Sequence, residues 1–281
     1  MVVDAHHHLW DPSRHSYPWM GDELAAIRRR FGPEDLAPLL AAAGVDRTVL
    51  VQTISSLDET REFLATAGNT DFIAGVVGWV DLADPSVDDA LAELRDGTGG
   101  EFLVGIRHQV HDEPDPRWLL RDDVRRGIRA VGDAGLVYDL LVKTRELPAA
   151  FELVRSLPDV RFVLDHIAKP RIAAGPRDPE WEMAMKPLAD CENVHCKLSG
   201  MVTEASWKAW KPDDLQPYVS RALEWFGPER CMFGSDWPVC LLAADYKQVI
   251  NALKLTIIGL SSKETAAVLG ENAVRVYSLD D

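Results

Sequence analysis

Three consecutive histidines lie in the strand-like segment from Asp4 to Trp10. Because side chains alternate between the two faces of an extended chain, His6 and His8 lie on the same face and can act on one ligand. Such an imidazole pair binds a metal ion or moves a proton, whereas a pair satisfied inside a core is the ordinary alternative. A purification tag is excluded, because the run is short and embedded within the strand.

Further polar or aromatic residues occur at or near the ends of the strands predicted downstream. They are Gln52, Trp79, Arg107, His108, Tyr138, His166, Lys197, Ser199 and Asp236. Burying a polar side chain in an apolar strand costs free energy unless the group is paired or used. Their placement therefore predicts one pocket where imidazoles and the Asp236 carboxylate converge. Lys197 shares a strand face with His195, so barrel packing is an alternative role for both.

Short apolar, β-branched runs alternate with segments of helical periodicity along the chain. Eight runs predict strands: Val2–His8, Arg47–Thr53, Ile73–Val80, Phe102–His108, Leu136–Val142, Arg161–Ile167, Asn193–Gly200 and Arg230–Pro238. No glycine-rich dinucleotide turn follows the first strand, so the alternation favours a closed parallel barrel over an open sheet. The sequence thus predicts an α/β fold, a distorted (β/α)8 TIM barrel, with residues 1–281 as a single domain and chemistry at the carboxyl ends of the strands.

Local signals predict where helices begin and where a loop covers the barrel. Asp84-Pro85 is typical of an N-cap followed by proline at the first helical position. Capping boxes are predicted at Ser56, Asp213 and Ser261, each followed three residues later by Glu or Gln. The segment 12–32 has weak periodicity and is predicted to fold over the barrel mouth, with peripheral packing as the alternative.

Composition excludes several classes of partner. The formal charge of −15, from 45 acidic and 30 basic residues, argues against nucleic acid. The four cysteines show no C-x-x-C spacing and are interpreted as reduced thiols of a cytoplasmic protein. No apolar stretch reaches the ~20 residues that span a bilayer, and no signal peptide is predicted, so no membrane partner is expected. The sequence leaves association into a homo-oligomer open.

With these motifs in place, the chain resembles the amidohydrolase superfamily, in particular its amidohydrolase 2 branch of sugar lactone hydrolases. L-fuconolactonases, L-rhamnonolactonases and the pyrone-dicarboxylate lactonase belong to that branch. The resemblance runs nearly end to end and rests on six segments in family order: Asp4–Trp10, Gly105–His108, Asp139–Leu141, Leu164–Pro170, Cys196–Gly200 and Phe233–Pro238. Asn272-Ala273 and Tyr277 are similar to the family's terminal helix.

The resemblance has one departure that bears on metal binding. Metal-dependent members combine the His-x-His of strand one with a Lys or Glu on strand four and a His on strand five, where this chain has Arg107 and the pair Tyr138 and Asp139. A binuclear site is therefore not expected. The resemblance implies either no required cofactor or one divalent metal, zinc first. The ligands of this metal would be His6, His8, His166 and Asp236, and the positive charge of Arg107 would oppose binding of the cation.

The resemblance also implies a mechanism for opening a lactone. In this hypothesis Asp236 takes a proton from water and returns it to the leaving ring oxygen. Arg107, with His108 or His166, stabilises the oxyanion, and His6 and His8 position the substrate or Asp236. A structural ion pair is the alternative role for Arg107, and a structural cap is the alternative for Asp236.

The expected substrate is a small aldonolactone of the L-fucono or L-rhamnono type. Its predicted contacts are Trp10, Gln52, Trp79, His108, Tyr138 and Trp237, which offer stacking faces and hydrogen bonds. A dicarboxylate lactone is less favoured, because it requires several arginines. Three other functions stay open: a metal-dependent decarboxylase, an amide hydrolase of the same superfamily, and a non-catalytic sugar-binding protein.

Overall fold

In the computed structural model, which describes residues 1–279, eight parallel strands follow one another around a sheet in chain order. They are β1 (Val3–His7), β2 (Arg47–Val51), β3 (Ile73–Gly78), β4 (Leu103–His108), β5 (Val137–Leu140), β6 (Phe162–Leu164), β7 (Val194–Leu198) and β8 (Cys231–Phe233). The ring closes where His8 N donates to Trp237 O at 2.7 Å and Asp236 N donates to His6 O at 2.8 Å. The predicted distorted (β/α)8 barrel is confirmed, with residues 280–281 of the predicted domain outside the described range.

Helices connect the strands and surround the sheet. They are α1 (Pro33–Ala43), α2 (Leu57–Ala67), α3 (Val87–Asp96), α4 (Asp122–Asp133), α5 (Leu147–Ser156), α6 (Pro179–Ala189), α7 (Met201–Glu204), α8 (Pro212–Phe226), α9 (Tyr246–Thr256), α10 (Ser262–Ala266) and α11 (Asn272–Tyr277). No helix among residues 1–279 combines the length and the apolar character that a membrane crossing demands.

The predicted helix starts have mixed outcomes. The Ser261 capping box is confirmed, since Ser261 and Glu264 bond reciprocally. The Asp213 box is wrong by two residues, because Asp214 bonds back to Lys211 at the start of α8. Only half of the Ser56 box forms. Ser56 accepts a hydrogen bond from Glu59 N, but the Glu59 carboxylate accepts from the backbone N–H groups of Thr53 and Ile54 and not from that of Ser56. The start predicted at Asp84 is also wrong, because α3 begins at Val87.

Most strands end before the predicted boundary, and the difference is largest beside the site. Strand six was predicted to run to Ile167 but ends at Leu164, and strand eight was predicted to run to Pro238 but ends at Phe233. His166 (φ +54°) and Asp236 (φ +56°) lie instead in the left-handed region of backbone conformation. An extended strand cannot hold that conformation, so the backbone leaves the sheet where the candidate site residues begin.

A bulge in β1 determines which histidines enter the barrel. Asp4 pairs with Thr48 whereas His7 pairs with Leu50, so β1 holds one residue more than β2 over this stretch. Two consecutive residues, Ala5 and His6, therefore face the interior, and the alternation after the bulge is reversed. His7 points away from the site and its Nε2 lies 2.9 Å from the Thr48 hydroxyl.

The barrel interior is divided into an apolar floor and a polar upper half. The floor is built by inward-facing side chains and closed by α11 from below, with Val3, Val49, Val77, Val137, Val163, Met232, Val276 and Tyr277 in one buried cluster. Tyr277 marks the boundary, because its hydroxyl donates to Asp139 at 2.8 Å. The apolar layer fixes the strands that carry the polar groups above it.

The segment 12–32 lies beside the carboxyl ends of the first strands. An antiparallel bridge between Trp10 and Phe31 joins its two ends. Trp10 Nε1 donates to Ile27 O at 3.1 Å, and Trp19 Nε1 donates to Thr53 O at 3.0 Å. Hydrogen bonds therefore attach this segment to Trp10, which follows β1, and to Thr53, which lies two residues beyond β2.

Candidate active site

Imidazole nitrogens and one carboxylate oxygen meet at the carboxyl end of the barrel. The Nε2 atoms of His6 and His8 lie 3.2 Å apart. Asp236 Oδ1 lies 3.3 Å from His8 Nε2, 3.8 Å from His6 Nε2 and 4.0 Å from His166 Nε2. All four side chains are almost completely buried. The structure thus brings together residues from β1, the loop after β6 and the loop after β8.

Hydrogen bonds on the far side of each ring fix its orientation. His8 Nδ1 donates to Val51 O at 2.7 Å, and His166 Nδ1 is hydrogen-bonded to the Ser199 hydroxyl at 2.9 Å. His6 Nδ1 lies 3.2 Å from both Asp165 Oδ1 and Lys197 Nζ. Because the Nδ1 atom of His8 carries the proton of that ring, its Nε2 lone pair points into the cluster.

The cluster fits a divalent metal ion by its donor set. Burial holds the pKa values of His6 and His166 well below the usual range, so both rings are neutral at neutral pH. The Nε2 lone pair of His8 and the Asp236 carboxylate face each other at 3.3 Å, and they repel unless a cation lies between them. Ligands at about 2.0–2.1 Å from zinc lie about 3.3 Å apart, which is close to the separations among His6, His8 and Asp236. Nitrogens of His6 and His166 and an oxygen of Asp236 all lie within 4.8 Å of one another.

Asp236 remains ionised in this environment. Burial raises the pKa of its carboxyl group, but the neighbouring His166 and His8 and the charge of Lys169 outweigh that effect and hold the pKa below its ordinary value. An ionised carboxylate in a nearly dry site accepts a proton or binds a cation. Both roles are compatible with its position.

Buried charges support the cluster from below. Lys197 Nζ lies 2.6 Å from Asp139 Oδ2 and 3.0 Å from Asp165 Oδ1, and none of these side chains is accessible to solvent. Arg107 Nη1 donates to Asp165 Oδ2 at 2.9 Å. Burial raises the pKa of Asp165, but Lys197, His6 and Arg107 together hold it well below its usual value. The carboxylate of Asp165 thereby connects His6 to two cations.

Arg107 is clamped by Gln52 and has few free donors. Its Nε and Nη2 atoms donate to Gln52 Oε1 at 3.3 and 2.9 Å, and Nη2 also donates to Gln52 O. Its Nη1 atom donates to Asp165 and, at 3.3 Å, to His6 Nε2. A guanidinium has five N–H groups, and these five contacts engage all of them. Gln52, predicted to contact the substrate, instead holds Arg107 in place.

A cavity of about 270 Å³ opens onto the cluster. Its lining combines the site residues with side chains from the loops: His8, Trp19, Thr53, Arg107, Gln109, His111, Asp112, Leu141, His166, Lys169, Asp236 and Val239. The volume suits one small ring with a few polar substituents, and Trp19 is an aromatic face in this wall.

The other residues predicted to contact the substrate lie away from this cavity. Trp10 packs against Phe31 with ring centroids 5.6 Å apart, and Trp237 packs on the same Phe31 ring at 5.3 Å. Tyr138 lies among the helix-facing core residues, because Asp139 takes the inward position on β5. These positions give the three aromatic residues packing roles.

Trp79 and His108 form a separate pair outside the central cavity. Trp79 Nε1 donates to His108 Nδ1 at 3.0 Å, and His108 Nε2 donates to Glu113 at 2.8 Å. The His108 ring stacks on Trp118 at a centroid distance of 4.2 Å. His108 lines a neighbouring surface cavity with Trp19 and has no place beside Asp236.

Sequence reasoning did not assign a site role to Asp165, Lys169, His111 or Trp19. The first two lie within the segment Leu164–Pro170, where charged residues directly follow an apolar strand, and that signal was available. Trp19 lies in a turn of the segment 12–32, and His111 lies in a single 3-10 turn, Val110–Asp112, in the loop after β4. Only the folded path of those loops brings them to the cavity.

The geometry defines a (β/α)8 barrel with a buried imidazole and carboxylate cluster at the carboxyl ends of its strands, and similarity to known proteins gives its family. The chain belongs to the amidohydrolase family, whose model matches residues 3–279. It is 43% identical to an L-fucono-1,5-lactonase of Burkholderia ambifaria, over 99% of this chain and 96% of that protein. An L-fucono-1,5-lactonase of Burkholderia multivorans is 38% identical, again over 99% of this chain and 96% of that protein.

A solved structure shows the same similarity. A crystal structure of a Burkholderia multivorans amidohydrolase with bound zinc has a TM-score of 0.93 at 36% identity, with 100% of both chains covered. The predicted resemblance is confirmed.

Proposed function

We propose that this protein hydrolyses a small sugar lactone, of the L-fucono-1,5-lactone type, to its aldonic acid. The observation that carries the proposal is the convergence of His6, His8, His166 and Asp236 on one cavity, in a chain closely similar to L-fucono-1,5-lactonases. The cavity has the volume of one sugar ring and a mixed polar and aromatic lining.

Asp236 acts as the base in this proposal. Its carboxylate takes a proton from a water molecule as the water oxygen forms a bond to the lactone carbonyl carbon, and the carbonyl π electrons move to the carbonyl oxygen. The tetrahedral intermediate then reforms the carbonyl by breaking the bond to the ring oxygen, and that oxygen takes the proton from Asp236. His8 Nε2 lies 3.3 Å from one oxygen of this carboxylate, so a cation bound between them would orient it.

We propose zinc as the divalent ion held by His6, His8, His166 and Asp236. Such an ion lowers the pKa of a bound water molecule and polarises a carbonyl group. The proposal is supported by the imidazole nitrogens and the carboxylate oxygen of the cluster, which are suitable zinc ligands, and by the zinc in the Burkholderia multivorans structure. Arg107 lies 3.3 Å from His6 Nε2, so its charge would limit the site to one ion.

The activity is tested by a pH-indicator screen. The purified protein is mixed with L-fucono-, L-rhamnono- and other aldonolactones and with a non-sugar lactone. We expect catalysed proton release from one or more aldonolactones and little from the non-sugar lactone. Release of carbon dioxide from an aromatic acid, or of ammonia from an amide, with no lactone opened, would replace this proposal with a decarboxylase or an amide hydrolase.

Removal of the metal tests the zinc proposal. Dialysis against a chelator is expected to lower the rate of lactone opening at least about tenfold, because the ion that activates water and the carbonyl group is removed. Added Zn²⁺ is expected to restore the rate. Elemental analysis before dialysis should give one zinc per chain. Full activity in protein shown to hold no metal would mean that the four side chains act alone.

Gly200 positions His166, and its substitution should weaken the site. Gly200 has φ +63°, and a Cβ atom there would lie 2.5 Å from His166 Nδ1. Gly135 has φ +76°, with no atom of the described residues within 4 Å of its own added Cβ. Gly135→Ala therefore measures the backbone cost alone, about 1–2 kcal/mol. Gly200→Ala adds displacement of the His166 ring, and we expect lactone opening to fall about 10²-fold. Equal activities of the two variants would show that the ring tolerates the added methyl group.

A further inference from the structure

The buried cations of the site differ in how many N–H groups they leave for a substrate. Oxyanion stabilisation requires a donor aimed at the carbonyl oxygen, and a positive charge alone does not supply that geometry. Gln52 and Asp165 hold four of the five Arg107 N–H groups, and the fifth points at His6. The guanidinium is therefore built into the barrel, and its one N–H group outside the Gln52 and Asp165 contacts faces the His6 ring.

Lys169 is the cation of the cavity wall that keeps free donors. Its ammonium group has three N–H groups, and among residues 1–279 it has one hydrogen-bond partner, Glu204 Oε1 at 3.0 Å. The side chain is 16% exposed and lines the same cavity as His166 and Asp236. Two N–H groups are thus available to a bound molecule.

An uncommon backbone conformation places this side chain. His166, Ile167, Ala168 and Lys169 all have φ between +46° and +57°, which is a left-handed turn made without glycine. Each such residue costs about 1–2 kcal/mol, and strain of this kind is concentrated at functional sites. Trp181 Nε1 donates to Ile167 O at 2.6 Å and secures the turn. One strained turn therefore delivers both His166 and Lys169 to the cavity.

The charge of Lys169 is retained despite its burial. Burial lowers the pKa of the ammonium group, but the carboxylates of Glu204 and Asp236 outweigh that effect and raise the pKa above its ordinary value. The group is therefore a charged donor throughout the neutral pH range. Charged donors form hydrogen bonds about twice as strong as neutral ones.

We propose that Lys169 is a catalytic residue that donates a hydrogen bond to the lactone carbonyl oxygen and to the oxyanion formed when water attacks the carbonyl carbon. This inference rests on the proposed lactone hydrolysis. Lys169 takes the oxyanion role that the sequence suggested for Arg107, and Arg107 instead holds Asp165 and Gln52. When the carbonyl reforms, the same N–H groups face the carboxylate oxygens of the aldonate product.

The kinetic test compares four variants with the native enzyme. Lys169→Met is expected to lower kcat/KM about 10²–10³-fold, with most of the loss in kcat. Lys169→Arg keeps a charged donor and should recover part of that loss. Lys186→Met removes an exposed lysine of α6 that pairs with Asp190, and it should match the native rate. Glu204→Gln keeps the ammonium group in place and should cost much less than Lys169→Met.

Three kinetic outcomes would overturn the assignment. The first is a Lys169→Met enzyme within about threefold of the native kcat/KM, since the loss of a donor is expected to cost far more. The second is a loss confined to KM. The third is an equal loss in Glu204→Gln accompanied by equal lowering of the thermal unfolding midpoint, which would show that the ion pair only supports the fold.

A binding measurement separates this inference from the proposed function. Sodium L-fuconate is titrated calorimetrically into the native protein and into Lys169→Met. We expect binding to the native protein and at least about tenfold weaker binding to the variant, because a charged hydrogen bond is lost. If the native protein opens no lactone but binds the acid through Lys169, the proposed function and the catalytic role of Lys169 both fail, and Lys169 is left as a carboxylate-binding residue. Equal binding to both proteins, or binding to neither, refutes the assignment.

Discussion

Asp236→Asn is expected to lower kcat/KM for lactone opening by about 10²–10⁴-fold, the range associated with loss of a positioned acid–base group. The substitution keeps the size of the side chain and removes the charge and the basic oxygen. Asp236 lies within 3.3–4.0 Å of three imidazole nitrogens, so no other carboxylate in the described structure has the same surroundings.

The matched control is Asp88→Asn on the exposed surface of α3, which should leave the rate unchanged. Zinc content is measured in each preparation, because Asp236 is also a proposed ligand. A variant that loses activity but keeps its zinc identifies the base, and restoration of the rate by excess Zn²⁺ would identify a ligand only. Retention of more than a few per cent of activity by zinc-free Asp236→Asn would exclude both roles.

Asp165→Asn is expected to destabilise the fold by about 3–5 kcal/mol, the usual result of removing one partner from a buried ionic group. Its carboxylate lies 3.0 Å from Lys197 Nζ and 2.9 Å from Arg107 Nη1, both inaccessible or nearly so. An asparagine amide at position 165 leaves Arg107 and Lys197 with one buried carboxylate partner, Asp139, which lies beside Lys197. Urea unfolding monitored by tryptophan fluorescence measures the change.

Asp190→Asn provides the control for this stability effect. Asp190 pairs with Lys186 on the surface, where its side chain is 62% exposed, and exposed pairs contribute about 0–1 kcal/mol. Comparable destabilisation by the two substitutions would mean that the buried network contributes no more than a surface ion pair.

The same network makes stability depend on pH in a defined direction. The folded pKa of Asp165 is depressed below the unfolded value of about 3.9. Its contribution to stability is therefore fully present above the unfolded pKa and is lost as the pH falls through the folded pKa. The Asp165→Asn protein should show a weaker loss of stability on acidification than the native protein.

The architecture and the groups that meet in the candidate site were largely predictable from the sequence. Alternation of apolar runs with helical periodicity gave the eight strands, and polar residues at their ends gave Arg107, His166 and Asp236 as candidates. These signals are strong because a polar group in an apolar strand is costly unless it is used or paired. The pairing of His6 with His8 followed from simple alternation.

Other features depend on contacts that a single sequence does not contain. The bulge at Ala5 and His6 depends on the register between β1 and β2, and without it the inward position would pass to His7. Tyr138 was assigned to the pocket because the inward face of β5 could not be chosen locally. Conversely, Asp139 is inward because Lys197 and Tyr277 from distant segments meet it.

The loop residues were harder still to predict. The segment 12–32 has little periodicity, and the hydrogen bond from Trp19 to Thr53 O joins positions 34 residues apart. Trp10 and Trp237 lie within the motifs Asp4–Trp10 and Phe233–Pro238, and they were predicted to stack on a sugar ring because they offer aromatic faces. A place within a motif does not determine which way a ring points once the backbone turns, as it does at Asp236.

The origin of Trp19 outside the barrel strands has an evolutionary consequence. The groups proposed to bind zinc and move protons come from strand ends and the loops that follow them, whereas this aromatic wall comes from the segment 12–32, anchored by the Trp10–Phe31 bridge. Insertions and substitutions between those anchors can therefore diversify ligand preference while the chemistry is inherited unchanged. A combinatorial library confined to that segment is accordingly the shortest route to new specificities on this scaffold.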